Sequence, residues 1–382
     1  MIGDFAAIPP EEAGALLTID LDALAFNWRL LRDRAGGADC AAVVKANAYG
    51  IGIEMAVPRL LAAGCRTFYV AHLAEARRVR ALTGEAVIYV LNGFLADTGP
   101  VYAAHGLRPV LGSREEIAEW GEYAAAHPDA PPAAIHIDTG MNRLGLPPEE
   151  VAEVARALPF RPALILTHLA SAEDQADPSN ARQLADFTRL RGYFPNIPAS
   201  FCNSSGAFIE PVATFDQTRA GVALYGANPV PGQPNPMREV VRLEAKILQT
   251  RDVPDGAAVG YNGKWKARGP RRLATLSIGY ADGYLRSASA WDSKAAQGIE
   301  AGIEAGIALV GGVTCPFAGS VSMDLIVIDV TDAPQDAARR GGLAVMIGDG
   351  LALDEVAARA GTIPYEILTS LGRRYARIYR NA

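Results

Sequence analysis

The sequence predicts an α/β protein in two parts. A parallel (β/α)8 TIM-type barrel is expected over residues 14–240, and a mainly β domain over 241–382, together with the N-terminal segment 1–13. Three observations lead there. Between about residue 40 and residue 226, short apolar runs alternate with longer amphipathic stretches, the pattern of strands joined by crossover helices. Lys45, Asp138, His168 and Asn203 with Ser204 stand at the C-terminal ends of the proposed strands, the rim where a barrel's βα loops build an active site. The stretch PVPGQPNPM (Pro229–Met237) carries four prolines and marks a boundary, beyond which strand-like alternation takes over.

Eight strands are expected in the first part: Ala41–Lys45, Thr67–Ala71, Val87–Leu91, Arg108–Leu111, Ala134–Asp138, Ala163–His168, Ala199–Asn203 and one near Val222–Tyr225. Helical patterns lie between them at Glu54–Ala63, Ala74–Leu82, Ser113–Ala126, Pro148–Ala157 and Asn180–Tyr193. Ser113 followed by Glu116 reads as a capping box. In the second part the strand candidates are Val241–Val253, Leu273–Ile278, Ile307–Val313, Leu325–Val330 and Leu343–Ile347, with one helical pattern, Leu353–Ala360. Leu16–Asp20 is a further strand able to pair with this domain. Residues 287–312 are rich in Gly and Ala, with the repeat GIEA-GIEA-GI, and read as an insertion without chemistry.

Composition narrows the function classes. The 382 residues exceed one small domain, and 50% apolar against 20% charged residues supports a sizeable core. With 36 Lys and Arg against 42 Asp and Glu, the net charge of −6 argues against a general nucleic-acid binder. Four scattered cysteines (Cys40, Cys65, Cys202, Cys315) form no CxxC, as expected of a reduced cytoplasmic protein. Five histidines show no metal-ligand spacing, so no metal is expected. The first ten residues lack the pattern of a secretory signal, and no apolar run is long enough to span a membrane.

Several short stretches could carry chemistry. AVVKANAYG (Ala42–Gly50) puts Lys45 at a buried strand end, where lost hydration lowers a lysine's pKa and makes the amine a Schiff-base nucleophile; a snorkelling strand-end lysine is the plain alternative. DTGMNRLG (Asp138–Gly145) puts Arg143 in a loop flanked by glycines, suited to an anionic oxygen or to a local carboxylate. TRAGVALYG (Thr218–Gly226) and NSSG (Asn203–Gly206) offer backbone N–H groups and hydroxyls in the late βα loops, where such barrels cradle phosphate. Tyr261 in VGYNG and Tyr280 in SIGYADGY are tyrosines beside glycines; a phenol is a poor base unless its surroundings lower its pKa.

Taken in order, VVKANAYG, DTGMNRLG, THLASAED, NSSG, RAGVALYG, GYNG, IGYADGY, SMD and TIPYE resemble alanine racemase, the pyridoxal 5'-phosphate (PLP) isomerase of barrel-plus-β-domain type. The nine strings run through nearly the whole chain. The resemblance implies a head-to-tail homodimer acting on a small amino acid to supply D-alanine for peptidoglycan. Lys45 would hold PLP and act as one base. Tyr261, from the second subunit, would be the other. Tyr49, Ser204, Gly221, Val222 and Tyr365 would surround the cofactor phosphate. Arg219 would face the pyridine nitrogen, with His168 bonded between it and Tyr261. Arg143 at the phenolic oxygen, the Met323 backbone at the substrate carboxylate and Tyr280 at the entry would form the substrate side.

The chain departs from the family pattern in three places. Ile51 stands where the family usually has a histidine. His136 stands where a lysine, often carbamylated, steadies the arginine. The Gly-rich insertion lengthens the path from Tyr284 to Met323. Serine or broad-specificity racemisation is the nearest alternative. A non-catalytic PLP-binding protein has no use for Tyr261 or a carboxylate site, and a decarboxylase would need a cysteine–aspartate arrangement that Cys315 lacks.

Overall fold

The computed structural model describes residues 8–290 and 305–381. They divide into two compact units, one spanning Asp22–Arg238 and the other combining the residues up to Leu21 with those from Glu239 onward. The GIEA repeat lies almost wholly outside the described residues. No helix among the described residues is long and apolar enough to cross a membrane.

The chain enters through β1 (Ala15–Asp20) and α1 (Leu21–Arg34). β1 is hydrogen-bonded to two strands of the β unit, so the barrel unit starts at Asp22, not at residue 14 as the sequence suggested. Eight parallel strands follow: β2 (Asp39–Val43), β3 (Thr67–Val70), β4 (Val87–Val90), β5 (Arg108–Leu111), β6 (Ala134–His136), β7 (Leu164–Leu166), β8 (Ala199–Ser200) and β9 (Gln217–Ala220). Each pairs with the next up to β8, and β9 pairs with β2. Interleaved are α2 (Lys45–Tyr49), α3 (Ile53–Ala63), α4 (Leu73–Leu82), α5 (Gly99–His105), α6 (Arg114–Ala126), α7 (Val151–Ala157) and α8 (Pro178–Arg191).

The last barrel strand corrects the sequence reading. Val222–Tyr225 is a buried 3-10 turn, and the strand is the more polar QTRA stretch before it. Its polarity follows from what it meets inside the barrel. Gln217 accepts a hydrogen bond from the Tyr69 hydroxyl and donates to Asp39 at 2.8 Å, while Tyr69 stacks on Tyr89 with centroids 4.9 Å apart. Paired polar groups of this kind avoid the cost of burying an unsatisfied donor. Outside the strands, Trp120 of α6 meets Phe94 and Tyr102 at centroid distances of 5.0 and 5.7 Å.

The Ser113 cap is half of what was expected. Its hydroxyl accepts from the Glu116 N–H at 3.2 Å, but the Glu116 carboxylate turns to the N–H groups of Phe94 and Gly112. It therefore ties two βα loops together instead of closing a capping box.

The β unit contains β10 (Val241–Val253), β11 (Ala258–Val259), β12 (Trp265–Lys266), β13 (Arg271–Leu276), β14 (Ile307–Val310), β15 (Val313–Pro316), β16 (Ile326–Asp329), β17 (Leu343–Ile347) and β18 (Ala376–Arg380). Its main sheet runs β15-β14-β17-β10-β1-β18, and β13 joins β10 to β16. Thirteen residues long, β10 serves both parts because its register shifts between Ile247 and Gln249. Such an irregularity bends a strand and increases its twist. Two helices occur where one was expected, α9 (Leu353–Arg359) and α10 (Pro364–Ser370). The latter begins within TIPYE, with Pro364 in the first turn, a position where its missing N–H costs nothing.

Candidate active site

Lys45 leaves β2 on an unusual turn. Ala46, Asn47, Ala48 and Tyr49 all have positive φ, between 50° and 59°. Left-handed backbone costs a non-glycine residue roughly 1–2 kcal/mol, so the surroundings must impose four such residues in a row. Glu75 at the start of α4 accepts from Ala46 N–H at 2.6 Å and Ala71 N–H at 2.9 Å. Asn47 accepts from Arg78 at 2.6 Å, and Tyr49 is buried against Tyr225 with centroids 4.6 Å apart. The turn is thus held from three sides, as strained segments at functional sites tend to be. Burial, and then the charge of Arg143, push the Lys45 amine below its ordinary pKa, with Glu75 opposing. The lysine is accordingly easier to deprotonate, the property a nucleophile or base requires.

Beside this turn lies a cradle of small groups. The Ser204 hydroxyl accepts from the N–H of Gly221 at 2.8 Å and of Ala223 at 3.4 Å. A Cβ at position 221 would stand 3.0 Å from the Tyr49 hydroxyl, so glycine keeps the space between phenol and backbone open. Val222 follows directly and opens the 3-10 turn.

Arg219 is 4% exposed, with its Nη groups donating to Ser200 Oγ and the Thr167 carbonyl. His168 lies within its field, but among the described residues no hydrogen bond joins the His168 imidazole to the Arg219 guanidinium. Arg143 is presented by a loop closed at its base. Asp138 Oδ1 accepts from the N–H groups of Gly140 and Met141 at 2.9 and 2.8 Å. Gly145 has φ +115°, and a Cβ there would stand 2.6 Å from the Asp138 nitrogen.

His136, at the end of β6, is half-buried with its Nε2 buried and unpartnered. Burial first, then Arg219, pushes the His136 ring down to about 4 and the His168 ring to about 3, from 6.5. Both are neutral at pH 7, so the folded chain binds fewer protons than the unfolded one between these values and 6.5. The stability that this neutrality preserves is expected to fall as pH drops below about 6.5, by up to about 1.4 kcal/mol per pH unit for each ring. Urea unfolding from pH 7 to 4.5 checks this: His136→Gln should flatten the slope, and an unchanged slope contradicts the buried neutral ring.

The residues of this unit fit PLP. Lys45, Arg143, Arg219 and the Ser204–Gly221 cradle of donors lie within one another's reach, a side chain at 221 would intrude on the space beside Tyr49, and the buried His136 Nε2 has no hydrogen-bond partner among the described residues. Ile51, where a histidine was expected from the family pattern, is fully buried and packs as a core residue.

In the β unit, Tyr261 stands at the tip of the β11–β12 hairpin and is 72% exposed. Gly260 before it has φ 72° and ψ −169°, a conformation that is essentially glycine's alone. Val259, Leu273 and Ala318 form a small core under this tip, with Trp265 and Val327 against it. Tyr261 and Met323 line one groove together with Arg251, Thr275 and Leu325. The Tyr280 N–H donates to the Ser322 carbonyl at 3.0 Å, which sets the Tyr280 turn beside the Met323 loop. Tyr365 lies half-buried in the first turn of α10.

Each unit therefore gathers its own share of the expected residues: Lys45, Tyr49, Arg143, His168, Ser204, Arg219, Gly221 and Val222 in the barrel, and Tyr261, Tyr280, Met323 and Tyr365 in the β unit. Sequence reasoning missed Glu75 and Gln183. Gln183 donates to Thr139 Oγ1 and to the His168 carbonyl, both at 3.0 Å, and accepts from the Ala170 N–H. The local part of Glu75's role is the cap it forms on the N–H groups of Ala71 and His72, whereas its hold on Ala46 and the contacts of Gln183 with Thr139 and His168 join segments that only the fold brings together.

Comparison with known proteins places the chain in a family. Residues 19–229 match the alanine racemase N-terminal domain and residues 240–379 the alanine racemase C-terminal domain. An alanine racemase of Methylobacterium nodulans is 56% identical over 369 residues, covering 96% of each chain. The crystal structure of alanine racemase from Bartonella henselae with covalently bound pyridoxal phosphate is 39% identical, with a TM-score of 0.88 over 96% of this chain and 100% of that one. The biosynthetic alanine racemase of Pseudomonas aeruginosa is 33% identical, with a TM-score of 0.85 over 97% and 100%. This chain belongs to the alanine racemase family.

Proposed function

We propose that this chain interconverts L-alanine and D-alanine with PLP as cofactor, supplying D-alanine for peptidoglycan, as a head-to-tail homodimer in the cytoplasm. The observation that carries the reading is the Lys45 amine, depressed in pKa on a left-handed turn beside the Ser204–Gly221–Tyr49 cradle. When bound, PLP supplies an electron-withdrawing ring that acidifies the α-proton of an attached amino acid.

The chain's own residues would do the rest. Lys45 holds the cofactor and moves a proton on one face of the substrate carbon. The partner subunit's Tyr261 serves the other face, because inversion requires removal on one side and return on the other. Tyr49, Ser204, Gly221, Val222 and Tyr365 bind the phosphate. Arg219 would face the pyridine nitrogen as a donor only, since a guanidinium has no acceptor lone pair and keeps its charge. His168, neutral at pH 7, would take a hydrogen bond from the partner's Tyr261. Arg143, Met323 and Tyr280 orient the substrate.

Exposure of Tyr261, Met323 and Leu325 around one groove supports a dimer, since large apolar side chains grouped at a surface mark a contact face. Four cysteines, all buried and unpaired, support a reducing compartment. The test is incubation of the PLP-loaded protein with L-alanine and assay for D-alanine. Formation of D-alanine supports the reading. Faster conversion of L-serine would move it to the broad-specificity racemase, and conversion of neither would overturn it.

A further inference from the structure

Three segments of the β unit meet beside Met323. The turn at Tyr280–Asp282 donates two backbone hydrogen bonds into the Met323 loop, Tyr280 N–H to Ser322 O at 3.0 Å and Ala281 N–H to Met323 O at 2.9 Å. The segment after α10 joins through the Gly372 N–H, which donates to the Asp282 carbonyl at 2.9 Å. The approach is too close for side chains. A Cβ at Gly279 would stand 2.3 Å from the Met323 carbonyl oxygen, and one at Gly372 2.6 Å from that of Asp282.

Arg374 spans all three segments. Its Nε and Nη2 donate to the two carboxylate oxygens of Asp282 at 2.7 and 2.9 Å, and Nη2 also donates to Asp324 at 2.8 Å. The Asp282 side chain is 8% exposed, and its Oδ2 additionally accepts from the Gly279 N–H at 2.9 Å. Asp324, next to Met323, is exposed. The guanidinium thus joins a buried anchor to a surface loop through a planar fork, a geometry a lysine cannot reproduce. Meanwhile the Met323 carbonyl is engaged, whereas its N–H donates to no described group and the residue is 54% exposed.

We propose that Arg374 is a positioning residue of the alanine site: it clamps the Met323 loop to the Tyr280 turn, so that the Met323 N–H is held ready for a substrate carboxylate. The inference rests on the racemase reading above, in which the Met323 backbone meets that carboxylate. Arg374 itself touches neither substrate nor cofactor.

The test uses the PLP-loaded dimer carrying Arg374→Lys and, separately, Asp324→Asn, which leaves the Asp282–Arg374 fork intact. Steady-state kinetics with alanine is combined with binding of propionate, a carboxylate without the amino group, followed by the cofactor's visible absorbance. In Arg374→Lys, KM and the propionate Kd are expected to rise about tenfold, the loss of a charge-assisted hydrogen bond, with kcat changed by less than about threefold. Asp324→Asn should show a smaller rise in the same direction. Unchanged KM and propionate Kd, or a lowered Tm as the sole effect, would make Arg374 merely structural and overturn the proposal. Wild-type enzyme that binds no propionate would also overturn it. Wild-type enzyme that binds propionate but makes no D-alanine would sink the racemase reading and leave the clamp to be judged by the propionate Kd.

Discussion

Lys45→Ala is expected to lower racemisation by at least ~10⁴-fold and to remove the visible absorbance band of the lysine-bound cofactor. Two functions would disappear with one amine, the covalent hold and a base. The fold should tolerate the change. The left-handed residues begin at Ala46, so position 45 demands nothing of alanine's backbone that lysine does not already meet. The amine's depressed pKa also means that burying its charge opposes folding. The cofactor-free variant should therefore melt at or above the wild-type temperature. A variant that keeps both band and activity would show that another group holds the cofactor.

Tyr261→Phe is expected to lower racemisation between ~10² and ~10⁴-fold, the range typical of removing one general acid–base group. The ring remains, at an exposed hairpin tip whose small core of Val259, Leu273 and Ala318 is untouched. Stability and cofactor binding should be unchanged. Because Lys45 still serves one face, the α-proton of one enantiomer should continue to exchange in D2O while that of the other does not. Exchange of both at the wild-type rate would mean that a single base suffices and would contradict the assignment of Tyr261.

Most of the fold was legible because apolar runs and apolar–polar alternation leave a strong local trace. β5, β10 and β17 stand at the expected residues, and β1 pairs where Leu16–Asp20 suggested. The failures have physical causes. β9 reads as a loop because Gln217 and Arg219 point their polarity into a barrel interior furnished with Tyr69, Ser200 and Thr167, while the more apolar Val222–Tyr225 is a buried turn. Strand ends at Lys45, Asp138 and Asn203 were drawn too long because the βα loops leave the sheet early in order to turn. The α10 helix was hidden by its proline and shortness.

The candidate site was legible where an uncommon residue type stands in a short string, as Lys45 in VVKANAYG and Tyr261 in GYNG. It was not legible where geometry is imposed from a distance. Nothing in Ala46–Tyr49 announces four left-handed residues, since Glu75 and Arg78 impose them from another helix. The Arg374 clamp likewise joins residues 92 and 50 positions apart in the sequence. His136 was visible as a departure, but only the structure shows its Nε2 buried and unpartnered.

The central claim is that one active site needs Lys45 from one chain and Tyr261 from another, and subunit mixing tests it most directly. Lys45→Ala and Tyr261→Phe homodimers, each nearly inactive, are dissociated together, reassociated and assayed for D-alanine. In a shared-site dimer, half of the sites in each hybrid carry both wild-type residues. Random reassociation of equal amounts should then restore about a quarter of the wild-type rate. If the mixture stays as inactive as its parents while hybrids are shown to form, the two residues belong to one chain's site and the account is wrong.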